Sequence, residues 1–197
     1  IRWCGKASTV EYSSEGEHDY VTIKFLHDYE HIKKIICYSN PLFGAELQWP
    51  KSFLFAGPSI AGMRTLVFLN LLRRFDAYWT LAEDIFSDDS WRNNLDPTNW
   101  PIIVMPQYNF FTDTSAWSVI STRFGNAHDV MLPTARDAGA QITCERWFPG
   151  DPQPAPDHTT LVEPTLVIDF VDKSGVRGPT GTPLDGLFRV VSTILED

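Results

Sequence analysis

The sequence is short of three features that would each point to a particular class of protein. Its most apolar stretch, TLVFLNLL, ends in Arg73 and Arg74 and is far shorter than the roughly 20 residues needed to cross a bilayer. Cys4, Cys37 and Cys144 form no CxxC pair, which predicts free, buried thiols instead of a disulfide framework or a zinc site. Positive charge is also scarce. With a net charge of −9 and no basic cluster, nucleic acid is not an expected partner.

What is present is typical of a folded protein. The 197 residues are 43% hydrophobic and 21% charged, and they suffice for one core with a sizeable insertion. Aromatic residues make up 13%, including seven Trp, which predicts aromatic-rich cores or interfaces. The chain starts at Ile1 in strand-like sequence, without an initiator Met or a recognisable signal peptide. We therefore expect a single fragment of a larger protein.

Strands followed by a short helix are predicted at both ends of the chain. ASTVEYSSEGEHDYVTIKFL alternates as two strands joined at Ser13–His18, and HDYEHIKKIICY then places Tyr29, Ile32, Ile35 and Ile36 at helical spacing. Near the other end, AQITCERWF and TLVIDFVDKSG read as strands and LDGLFRVVSTIL as an amphipathic helix. The portions at 1–40 and 161–197 thus resemble each other.

Residues 41–160 are predicted to form a mixed helical and loop-rich insertion. SIAGMRTLVFLNLLRRF predicts a helix buried on most sides with Ser59 as its N-cap, after an extended KSFLFA. PIIVMPQ predicts a short edge strand, and TSAWSVISTRFGNAHDVMLPTARDAG a helix capped by Thr114 or Ser115 and interrupted at Gly125 and Pro133. The expected fold class is α+β: mainly antiparallel, β-barrel- or sandwich-like strands with short helices following them, plus this insertion.

Two short patterns resemble parts of hydrolase active sites, but each lacks a residue that such a site needs. His27-Asp28-Tyr29-Glu30-His31 spells the H-x-x-E-H pattern of inverted zinc peptidases, but no partner motif supplies a third ligand. Gly57-Pro58-Ser59 before a helix resembles a nucleophile elbow, although the second glycine is displaced by one position. A zinc- or serine-dependent hydrolase therefore stays an alternative. We predict no catalytic, cofactor-binding or metal-binding residues.

Aromatic residues in and near the predicted loops form a possible interaction surface. Flat rings of this kind can anchor a protein partner or stack on sugars, so a host cell-wall carbohydrate-binding module is a further alternative. The residues are Trp91, Trp100, Tyr108, Phe110, Phe111 and Trp117.

Several segments together resemble the minor tail proteins of siphoviruses that infect actinobacteria. They are, in order, WCGKASTVEY, DYVTIKFLHDYEHIKKI, FLFAGPSIAGMRTLVFLNLLR, LDPTNWPIIVMP, DTSAWSVISTRF, ITCERWFPGDP and IDFVDKSG with DGLFR. None is a catalytic signature. The specificity of the resemblance lies in their shared order over nearly the whole chain.

The resemblance implies a structural protein of the virion tail, akin to tail-hub proteins, made in the cytoplasm of a bacterial host. Such hubs are typically trimers whose strands pair around a central ring. It implies other tail proteins as partners (distal tail, tape-measure and receptor-binding proteins) and no cofactor. Residues 1–40 and 161–197 would be the hub-like portions and 41–160 a family-specific insertion.

Overall fold

Nine strands and four helices make up the described part of the chain. The computed structural model describes residues 3–16, 18–41, 43–75, 98, 100–105, 113–175 and 180–196, with the side chains of the last helix as far as Val191. The elements are β1 (Gly5–Glu15), β2 (His18–His27), α1 (Glu30–Lys33), β3 (Ile36–Cys37), β4 (Phe53–Pro58), α2 (Ser59–Arg74), β5 (Ile102–Val104), β6 (Trp117–Thr122), β7 (Gly125–Asn126), α3 (Ala127–Asp137), β8 (Ala140–Trp147), β9 (Thr165–Asp172) and α4 (Pro183–Glu196).

The predicted N-terminal hairpin is confirmed and is longer than its apolar alternation alone suggested. β1 and β2 pair antiparallel from Gly5 opposite His27 to Glu15 opposite His18. The turn between them contains Gly16, whose φ of 66° lies in the region that favours glycine. A register shift between Ala7 and Thr9 marks a bulge near the base of the hairpin.

The helix predicted after the hairpin is confirmed but covers a single turn. Ile32 and Ile35 are buried as its spacing requires, at 0% and 2% exposure. Ile36, however, lies in β3 and is exposed. Because α1 ends at Lys33, the helical spacing no longer determines which side of the chain Ile36 lies on.

The core lies between α2 and a three-stranded sheet of order β5-β9-β8. β5 is an edge strand, as predicted, and pairs parallel to β9, whereas β8 pairs with β9 antiparallel. The helix predicted to be apolar on most sides is confirmed: Met63, Leu66, Val67 and Leu71 are each fully buried. Because β9 pairs with β5 and β8, this sheet joins the segment 161–197 to the segment 41–160. The division of the chain at these boundaries stays a prediction.

The long helix predicted from TSAWSVISTRF onward is wrong in its first half. Trp117–Thr122 forms β6, which pairs antiparallel with β4. The helix α3 begins only at Ala127, where the Asn126 side chain accepts a hydrogen bond from the Asp129 backbone N–H at 2.8 Å. Pro133 lies inside α3 without ending it. The pairing with β4, far away in the sequence, outweighs the local helical spacing.

The N-terminus of α2 is capped from a distant loop, and the prediction of Ser59 as its N-cap is wrong. Pro58 occupies the N-cap position, and Ser59 is the first helical residue. Asp113 Oδ2 accepts from the Ala61 N–H at 2.8 Å and Ser115 Oγ from the Ile60 N–H at 3.1 Å. Two of the free donors of the helix are thereby satisfied by tertiary contacts.

The α+β class is confirmed. Over the described residues the strands form one three-stranded and three two-stranded sheets, none of which closes on itself. No helix in these ranges is long and apolar enough to cross a membrane.

Candidate functional site

The β1–β2 hairpin presents an exposed apolar face. Val10 lies opposite Ile23 and Tyr12 opposite Val21, so these side chains share one face, and Phe25 extends it toward the base. Their exposed fractions run from 46% to 67%. Single exposed apolar residues are normal on a protein surface, but five on one face of a ribbon form a contiguous patch. We define these five residues as the hairpin face.

The other face of the hairpin is mixed. It carries Thr9, Glu11, Thr22 and Lys24, together with Tyr20 and Leu26. Lys24 Nζ and Glu11 Oε1 form an ion pair at 2.6 Å, with both side chains more than half exposed. An exposed ion pair of this kind contributes little to stability. The second face is therefore more polar than the hairpin face.

The rest of the described chain leaves the hairpin uncovered. Every residue from Gly5 to Leu26 that the structure describes is exposed. Within the described ranges the hairpin is a separate two-stranded sheet, so both outer edges offer unpaired backbone N–H and C=O groups. An isolated two-stranded ribbon is at best marginally stable in water. This geometry is suited to docking against another polypeptide.

Asp28 anchors the base of the hairpin to the body. Its side chain is 5% exposed and accepts a hydrogen bond from Arg146 Nε of β8 at 3.0 Å. Its backbone N–H donates to the carbonyl of Cys4 at 3.0 Å. Beside it, the Tyr29 hydroxyl lies 2.9 Å from Nδ1 of His128 in α3. The segment after the hairpin is thus tied to two elements of the core.

The H-x-x-E-H pattern lies at this junction, and its residues make contacts within the protein that do not involve a metal site. His27 Nδ1 accepts from the Tyr29 N–H at 3.0 Å, and Glu30 forms an ion pair with Lys33. His31 Nδ1 is buried without a hydrogen-bond partner among the described residues, and burial lowers the pKa of the His31 imidazole. Of the residues that the structure describes, no three His, Cys, Asp or Glu side chains gather as a set that could hold an ion.

The hydroxyl of Ser59 makes a structural hydrogen bond. The residue is 1% exposed, and its Oγ donates to the carbonyl of Ala116.

The three cysteines are free, as predicted, and two of them are buried. Burial raises the pKa of the Cys37 and Cys144 thiols to about 12, so both are protonated at neutral pH.

Only two of the six predicted interaction aromatics fall within the described residues. Trp100 is 7% exposed and packs against Phe68 and Phe75, at ring distances of 6.0 and 5.6 Å. Trp117 is half-buried, and its indole N–H donates to the Pro183 carbonyl at 2.8 Å. Outside the described residues lie Trp91, Tyr108, Phe110 and Phe111. An aromatic interaction surface therefore stays a prediction.

Comparison with known proteins identifies the family. The family model described as Siphovirus ReqiPepy6 Gp37-like protein matches residues 1–191. The chain belongs to the Gp37-like family. This match includes both strands of the hairpin and most of α4.

Two curated relatives of this Gp37-like chain are minor tail proteins of mycobacteriophages. The minor tail protein Gp28 of Mycobacterium phage L5 is 32% identical over 179 residues, which cover 89% of this chain and 30% of the relative. The minor tail protein Gp28 of Mycobacterium phage D29 is 30% identical over 217 aligned residues, covering 100% and 36% respectively. The chain thus spans about a third of the length of these relatives. The resemblance drawn from the sequence segments is confirmed.

Proposed function

We propose that the chain is part of a non-catalytic structural component of a phage tail tip, acting in virion assembly and host-facing attachment. The Gp37-like match over 1–191 and the two relatives named as minor tail proteins support this role. Its partners would be other tail proteins, and its location the virion tail after synthesis in the bacterial host. Neither the carbohydrate-binding module nor the hydrolase gains support from the described residues.

The observation that carries the proposal is the uncovered hairpin. Both of its outer edges can add strands, and strand addition supplies a row of backbone hydrogen bonds along each edge. When β1 of one copy pairs with β2 of the next, the contact joins two different surfaces and can close into a ring. We expect a cyclic homo-oligomer, and the resemblance to tail hubs implies a trimer.

The role in the tail is tested on virions of a phage that encodes the chain. Gold-labelled antibodies against the protein should mark the tail tip in electron micrographs, with no label on the capsid. Label confined to the capsid, or absence of the protein from purified virions by mass spectrometry, would refute a tail role.

The role of the hairpin is tested with a shortened variant. Residues 10–23 are removed, and Thr9 is joined to Lys24 through an Asn-Gly turn that suits a two-residue hairpin connection. Native mass spectrometry should show oligomers for the unmodified protein and monomers for the variant. Equal assembly of the two proteins would contradict assembly through the hairpin.

A further inference from the structure

The core sheet has an open stretch of edge. β9 pairs with β8 along its whole length, whereas β5 pairs with it only from Leu166 to Ile168. The last part of β9, Asp169–Asp172, therefore has no strand beside it on the β5 side among the described residues. A cavity of about 380 Å³ opens at this stretch, with Ile60 and Arg64 of α2 in its wall. An uncovered strand edge of this kind can pair with a segment of another chain.

The first backbone groups that such a segment would need belong to Phe170. The Leu166 N–H donates to the Pro101 carbonyl at 3.0 Å. The Met105 N–H donates to the Ile168 carbonyl at 2.8 Å. Even-numbered residues of β9 thus turn their N–H and C=O groups toward β5, and because this direction alternates along a strand, Phe170 does the same. The next bond of the ladder would join the Phe170 N–H to the Met105 carbonyl.

Two side chains already occupy these backbone groups. The Phe170 N–H donates to Asp169 Oδ1 at 2.7 Å, and Arg64 Nη2 donates to the Phe170 carbonyl at 3.3 Å. The same Arg64 nitrogen lies 2.6 Å from Asp169 Oδ1, so each side chain holds the other in position. Neither side chain is more than 26% exposed, which limits competition by water. Both backbone groups of Phe170 are therefore satisfied without a partner strand.

We propose that Arg64 and Asp169 block strand addition at the core sheet and so confine it to the hairpin. The proposal rests on the proposed function, in which strand addition at the hairpin edges joins copies, and it names residues that make this assembly specific. Charged side chains are a common protection of sheet edges in natural proteins. To reach Phe170, an incoming strand would have to separate two largely buried, mutually paired side chains, and leaving such groups unpaired is costly.

A purely structural role of the ion pair would give a different result. If the pair only holds α2 against β9, its removal lowers stability and leaves association between copies unchanged. If the pair blocks the edge, its removal frees the N–H and C=O of Phe170 for a strand of a second copy. That strand would protect the Phe170 amide from hydrogen exchange only at protein concentrations at which copies associate.

Replacing both side chains in the full chain tests the block. R64M with D169V leaves no buried charge unpaired, and Met and Val suit a helix and a strand respectively. Sedimentation equilibrium should show self-association about tenfold tighter than in the unmodified protein, the gain expected from two further backbone hydrogen bonds. Hydrogen–deuterium exchange at the Phe170 amide should slow as the concentration of the variant rises. In the unmodified protein it should not depend on concentration.

Two controls separate the block from other effects of the substitutions. E30V with K33M replaces an exposed ion pair of α1 by the same residue types and so adds apolar surface away from the edge. D169N keeps an oxygen that can accept the Phe170 N–H, so it should associate as the unmodified protein does. If circular dichroism shows the double variant to be unfolded, D169A, which frees only the Phe170 N–H, is measured in the same way.

Added association together with concentration-dependent protection at Phe170 would support the block. Unchanged association, protection that is independent of concentration, or equal association of the E30V and K33M control would each overturn it. The proposed function is tested separately, because the shortened hairpin leaves Arg64 and Asp169 in place. Assembly that survives the shortening would refute assembly through the hairpin, whereas the comparison of R64M and D169V with the unmodified protein would still decide the block.

Discussion

Asp28 is the residue on which the attachment of the hairpin most depends. Replacing it with Asn removes the charge that faces Arg146 and leaves a guanidinium only 30% exposed without its ion-pair partner. We expect D28N to lower the free energy of unfolding by about 1–3 kcal/mol, below the range for fully buried pairs because Arg146 is partly solvated. Urea denaturation measures this change.

The exposed pair on the hairpin supplies the control for this variant. Lys24 and Glu11 are 60% and 54% exposed, so E11Q should change the free energy of unfolding by less than about 1 kcal/mol. Equal effects of D28N and E11Q would show that the Asp28–Arg146 contact does not anchor the hairpin.

His31 makes stability depend on pH. Burial lowers its pKa in the folded state, and nearby Lys6 and Arg146 act in the same direction while Asp28 opposes them. The unfolded chain therefore binds a proton more readily as the pH falls below about 6.5. The contribution of His31 to stability is complete above that pH and is lost toward the lower folded-state pKa.

Thermal unfolding between pH 8 and pH 5 checks this dependence. Replacing His31 with Gln should flatten the fall of the melting temperature below about pH 6.5. H18Q, at an exposed position of the hairpin, is the matched control. An unaltered slope in H31Q would contradict a role for this imidazole.

At the scale of single elements, the start of α2 depends on a residue more than fifty positions away in the sequence. Asp113 accepts the backbone N–H of Ala61 and that of Ser115. D113A should destabilise the fold by about 1–2 kcal/mol, because both buried donors lose their acceptor. D113N retains one carbonyl oxygen and should lose less in urea denaturation. Equal losses would mean that capping is not what Asp113 contributes.

The elements that the sequence predicted well are those with a strong local pattern. α2, β8, β9 and α4 follow their apolar periodicity. The sequence predicts a helix across β6 because Trp117, Val119 and Ile120 fit either period over so short a run. Its partner strand, β4, lies far away in the sequence. The capping of α2 by Asp113 is likewise not predictable from the sequence, since local spacing carries no information on tertiary contacts.

At the scale of the whole molecule, the sequence predicts only part of the candidate site. The alternation of Val21, Ile23 and Phe25 indicated a strand with one apolar face, but periodicity does not reveal what covers that face. Nor could the spacing of α4 show that its apolar residues, such as Leu184 and Phe188, are exposed. Asp185 and Gly186 face neighbouring loops instead. The resemblance to tail proteins indicated assembly, and the folded chain adds the two uncovered surfaces.

The separation of hairpin and body leads to a last prediction, on stability. The core between α2 and the β5-β9-β8 sheet has no buried residue from the hairpin strands. The variant in which an Asn-Gly turn replaces residues 10–23 keeps Asp28 and its contact with Arg146. Measured at a concentration at which both proteins are monomeric, its midpoint of urea denaturation should equal that of the unmodified protein within error. A marked loss of stability would show that the hairpin supports the core. An unchanged midpoint, together with loss of assembly, would show that folding and assembly are carried by different parts of the chain.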